Sequence, residues 1–116
     1  METKRPTGVL IIIPALLAAH VFGAIALLTR WREIQTNHPR LTDDVFPLAA
    51  FLIFFSMTGL IATWYWKRWG PVCVTAAYVL VLLFDAYFGI YHHMYVATGA
   101  IMLYWTVVWP IRKQLR

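Results

Sequence analysis

The sequence predicts an all-α fold: an integral membrane four-helix bundle with both termini cytoplasmic. Three observations carry that expectation. Hydrophobic residues make up 61% of the 116 and charged residues only 13%, too little polar surface to coat a water-soluble domain of this size. Four apolar runs are each long enough to cross a bilayer core of about 30 Å. The basic residues gather at the ends of those runs, where they set topology. The chain is expected to be one transmembrane domain, residues 1–116.

The first span is expected over about 8–29. Lys4 and Arg5 ahead of it, and Ala24-Ile25-Ala26 within it, resemble a signal peptide and its cleavage site. The apolar run from Gly8 to Leu28 is long enough to span outright, however, so an uncleaved helix is expected. Pro14 lies inside it and predicts a kink, tolerated in membranes where neighbours re-satisfy the freed carbonyl.

Arg30, Trp31, Arg32 and Glu33 end that span and open an outer loop, 30–46. Asn37-His38-Pro39 reads as a turn. Thr42, Asp43 and Asp44 have the chemistry of helix N-caps, with Pro47 in the first turn. The second span is expected over about 47–66, followed by a Lys67-Arg68-Trp69-Gly70 hairpin. The third is expected over about 71–91, then a turn with His92, His93 and Met94, then the fourth over about 95–111 and a basic tail.

Orientation follows from charge. Seven of the ten basic residues lie on the side of the termini and the Lys67-Arg68 hairpin; Arg30, Arg32 and Arg40 lie on the other. The positive-inside rule puts the first group in the cytoplasm. Trp64, Trp66, Trp69, Trp105 and Trp109 then mark the inner interface, and Trp31, Tyr87, Tyr91 and Tyr95 the outer one. A multi-pass protein of the bacterial cytoplasmic membrane is the expected setting. The net charge of +5 comes from these topological residues. No basic patch is interleaved with aromatics on a polar face, so no nucleic-acid partner is expected. Cys73 is the single cysteine and reads as a packing residue.

Asp85 is the only acid inside an expected span. Six residues from the span's outer end, it sits about 9 Å deep at helical rise. A carboxylate there faces protein or water, not lipid. Helical spacing places Tyr78, Asp85, Gly89 and His92 on one face. Two readings stand: a proton- or cation-binding carboxylate, or a structural clamp between helices. His20 lies in the first span, expected within about one helical turn of the same depth. Beside it, Ala15, Ala19 and Gly23 form a small-residue ridge suited to close helix packing. A His20–Asp85 pair is the sharpest expectation, with a backbone carbonyl, Ser56 or Thr98 as the alternative partner of His20.

His92, His93 and His38, with Asp43 or Asp44, are the candidates for an outer copper or zinc site. Their spacing matches no recognised metal motif, and ordinary interfacial histidines are the competing reading. Unmatched depths of His20 and His92 argue against a bis-histidine haem. Ser56, Gly59 and Thr63 share a face of the second span that reads as a packing seam. No nucleophile has a base nearby in sequence, so no enzymatic activity and no cofactor are expected.

In size and span count the chain resembles the small multidrug resistance exporters, which the resemblance describes as dimers around a membrane carboxylate. Those proteins carry their acid in the first helix, where this chain has His20 and no acid. Three functions remain in view. The first is a non-catalytic accessory, assembly or immunity-type subunit of a membrane complex. The second is a homo-oligomeric small transporter or channel coupled to a proton or cation through Asp85 and His20. The third is a metal or redox-cofactor subunit using the outer histidines. Expected partners are the lipid bilayer and other membrane subunits or a second copy of the chain.

Overall fold

The computed structural model describes residues 4–116. Four helices follow in order: α1 (Thr7–Asn37), α2 (Phe46–Trp64), α3 (Trp69–Phe88) and α4 (Tyr91–Val108). Short 3-10 segments at Asp43–Val45 and Trp109–Gln114 extend α2 backwards and α4 forwards. All four helices are long and apolar enough to cross a membrane. Under a third of each apolar stretch is buried within the bundle. The remaining apolar surface needs an apolar solvent, as lipid is.

The helices run alternately up and down, so both described chain ends meet the α2–α3 hairpin at one end of the bundle. That end is stitched together. Arg5 donates twice to the carbonyl of Trp64, at 2.9 and 3.1 Å, and lies 4.3 Å over the Trp64 ring. A cation at the last carbonyls of a helix offsets the negative end of its dipole. The Arg116 amide donates to Trp66, and the Arg68 amide donates to Arg116, a two-bond ladder between the C-terminus and the hairpin. Trp66 has φ of +62° there, a left-handed conformation that costs a bulky residue about 1–3 kcal/mol. Its buried ring and the ladder hold it in place.

Closest packing is between α2 and α3. A Cβ on Gly59 would stand 2.7 Å from the Val74 backbone, and one on Gly70 would stand 2.6 Å from the Thr63 backbone. Hydrogen alone at these two positions lets the backbones touch, the expected use of small residues between membrane helices. Thr63 donates to the Gly59 carbonyl at 2.8 Å. Its one hydroxyl proton is then spent, so Tyr104 of α4 is the donor in the 2.7 Å Tyr104–Thr63 bond. This buried bond ties α4 to the α2–α3 seam. Val9, Ile13, Leu60, Val74 and Val108 complete the core around it.

Three features differ from expectation. The 30–46 segment is not an open loop: α1 runs on to Asn37. Pro14 leaves the backbone angles helical, and the departure falls at Arg30 (φ −124°, ψ 21°). There the chain leaves the apolar stretch, and Trp31 turns to meet Phe46 edge-on at 5.3 Å. Trp31 and Gln35 both donate to the Asp43 carboxylate, and Arg40 donates to the Tyr87 carbonyl at 2.9 Å. The 30–46 segment is thereby folded onto α1 and α3. Finally, α3 stops at Phe88 rather than near Tyr91, because Gly89 takes a left-handed conformation (φ +73°) and α4 begins at Tyr91.

Candidate functional site

The shortened α3 decides the geometry of the ionisable cluster. Asp85 sits one turn from the end of its helix, shallower than the sequence suggested. The amide of Gly89 and that of Ile90 both bond its carbonyl. The α3–α4 turn is therefore built on the residue that carries the acid. His93, expected in a loop, is in the first turn of α4 and returns across this turn. Its Nδ1–H donates to Asp85 Oδ2 at 2.6 Å. The carboxylate side chain is 3% exposed and the imidazole 55%, so His93 covers the acid and is itself reachable. A short contact between such groups is the strong, charge-assisted kind of hydrogen bond.

The expected His20–Asp85 pair is not formed. Tyr78 lies two turns before Asp85 on the same inward face of α3, about 10 Å deeper at helical rise. His20 stands at the level of Tyr78. Its Nδ1–H donates to its own helix, to the Leu16 carbonyl at 2.7 Å. That leaves Nε2 as an acceptor, and Tyr78 Oη approaches it at 3.4 Å, with the rings edge-on at 5.8 Å. The distance exceeds that of a well-made bond, so the Tyr78 hydroxyl is only weakly engaged. Two tiers result: Asp85–His93 above, His20–Tyr78 below.

Between the tiers lies a cavity of about 280 Å3 lined by all four helices, with His20, Tyr78, His93 and Ser56 among its polar neighbours. It exists because α1 and α4 diverge. Near the chain termini they touch: a Cβ on Gly8 would stand 3.0 Å from Val107. About four turns further, a Cβ on Gly23 meets nothing within 4 Å. Here the small-residue ridge is not used as expected. Ala15 and Ala19 are exposed, and Ala19 and Gly23 line the cavity instead of packing a helix. The seam that does pack is that of Ser56, Gly59 and Thr63 on α2.

The outer metal site is not assembled. Among the described residues, no three His, Cys, Asp or Glu side chains come together. His93 is turned to Asp85, His92 is exposed on α4, and His38 caps the far end of α1. Sequence reasoning missed His93 as the partner of Asp85. The signal was Gly89, whose place as a helix stop brings residues 85 and 93 to facing turns. No family model, curated protein or solved structure matches this chain.

Proposed function

We propose that this chain is a multi-pass protein of the bacterial cytoplasmic membrane, with both termini inside, that self-associates and conducts protons by way of Asp85 and His93, the cavity beside them taking a small substrate. One observation carries the reading: a carboxylate buried to 3% exposure is covered by a half-exposed imidazole at 2.6 Å. Ionisable residues kept inside membrane bundles commonly mark proton or ion routes. The half-exposed imidazole gives the acid an exchange partner at the surface of the bundle. The cavity beneath supplies space for a substrate beside the proton site. Four helices of this length enclose little volume alone, so a pathway calls for association. The bias of Lys and Arg toward the terminal end supports the orientation.

A direct test uses proteoliposomes holding a pH-sensitive dye under an inside-negative potassium diffusion potential. Wild-type vesicles are expected to acidify faster than protein-free ones, and Asp85→Asn vesicles with normally folded protein are not. Equal rates for wild-type and protein-free vesicles would contradict the reading.

A second reading, an accessory subunit of a membrane complex, is favoured by the exposed ridge of Ala15 and Ala19. Small exposed residues let a foreign helix approach closely. Native mass measurement after gentle detergent extraction separates the two. A homo-oligomer supports the transporter, and a stable complex with another membrane protein supports the accessory role.

A further inference from the structure

The cleft between α1 and α4 has a chemistry of its own. Its rim toward the lipid is flanked by Phe22 and Val96, which are 75% and 56% exposed. A molecule crossing this rim would come from the bilayer and be membrane-soluble. Among the described residues no lysine or arginine lines the space, so nothing there holds an anion. Among the described residues the one carboxylate in reach lies sealed under His93 and is not part of the lining, so a permanent cation finds no counter-charge on the wall. The ligand is uncharged.

Hydrogen-bonding capacity narrows the class. His20 has spent its Nδ1 proton on Leu16 and offers its Nε2 to Tyr78. The Tyr78 hydroxyl, held at 3.4 Å, is free to donate to a better acceptor. The Ser56 hydroxyl is spent on the Leu52 carbonyl at 2.9 Å. His93 has spent Nδ1 on Asp85, which leaves its Nε2 as the free polar atom of that ring. The cavity thus offers a donor from α3 and an imidazole nitrogen from α4, with apolar walls between. At about 280 Å3 it falls at the small end of ligand pockets, which run roughly 300–1,000 Å3. That admits a single substituted ring and excludes a macrocycle.

We infer that the α1–α4 cleft binds the ring of a lipid-soluble quinol, one ring oxygen accepting from Tyr78 and a hydroxyl at the opposite edge donating to His93 Nε2. Ala19, Gly23, Ala97 and Ala100 clear the space for the ring. This assignment rests on the reading of the cluster as functional, and names the substrate class for it.

The test is binding to the purified full chain in detergent under argon. The probes are tetramethylhydroquinone and durene, which has the same ring and methyl groups without oxygens. The hydroquinone is expected to bind saturably and more tightly than durene. Tyr78→Phe is expected to weaken the hydroquinone about tenfold, as for one lost hydrogen bond, and to leave durene unchanged. Gly23→Leu fills open space and so retains the fold, and it is expected to abolish saturable binding of both. Equal affinity for hydroquinone and durene, or unchanged binding in Gly23→Leu, overturns the inference. Proton flux is not read here, so the ligand assignment and the proton coupling fail separately.

Discussion

Asp85 and His93 face each other across the turn between α3 and α4, eight residues apart, and the turn's backbone amides close on the carbonyl of the same aspartate. The acid, its partner and the loop that joins their helices form one unit. Substitution of one pair member is therefore felt by the other and by the turn.

Removing the imidazole alone is the damaging change. His93→Ala takes away the cover and the hydrogen-bond partner of the Asp85 carboxylate, and because the imidazole is half-exposed the loss is expected to be about 1–3 kcal/mol. Asp85→Asn removes the charge and is milder. The double variant Asp85→Asn/His93→Ala is expected to be more stable than His93→Ala alone. Unfolding titrations in mixed micelles measure all three, and strictly additive losses would deny the coupling.

The α2–α3 seam predicts a sharp contrast between glycines. Gly59→Ala and Gly70→Ala each drive a methyl to within 2.7 Å or less of backbone, an overlap expected to cost about 1–3 kcal/mol or more. Gly23→Ala meets nothing within 4 Å and is expected to be nearly neutral. Thermal unfolding in detergent ranks the three.

Gly89→Ala tests the turn. A Cβ at φ of +73° has little steric company but an unfavourable backbone, worth about 1–2 kcal/mol. It is also expected to shift the His93 imidazole resonances, since the turn sets the position of α4 against Asp85. Unchanged His93 signals would separate the turn from the pair.

Tyr104→Phe deletes the donor to Thr63 while keeping the ring. Thr63 still bonds the Gly59 carbonyl, so no hydroxyl is left without a partner. A loss of about 1 kcal/mol is expected, again by unfolding titration.

Much of this architecture was legible in the residues. Runs of apolar side chains announce four helices because bilayer thickness fixes their length. Ser56, Gly59 and Thr63 announce the α2 seam because small residues at helical spacing share a face. The inward turn of Asp85 follows from the cost of a carboxylate in lipid. What misled was register at the helix ends. Tyr87 and Tyr91 continue an apolar pattern, so hydropathy carried the third span past Gly89, and that error moved Asp85 about one turn deeper. At the deeper level it met His20; at its actual level it meets His93. Ala15, Ala19 and Gly23 misled differently. Their spacing states what a helix face permits, and in this chain α4 diverges from it and leaves a cleft.

Solid-state NMR of the bilayer-embedded protein, labelled with carbon-13 at aspartate and nitrogen-15 at histidine, reads the central pairing directly. A through-space correlation between the Asp85 carboxyl carbon and His93 Nδ1 is expected, with none from Asp85 to His20. A correlation from Asp85 to His20, or contacts between its carboxyl and lipid acyl chains, would contradict it.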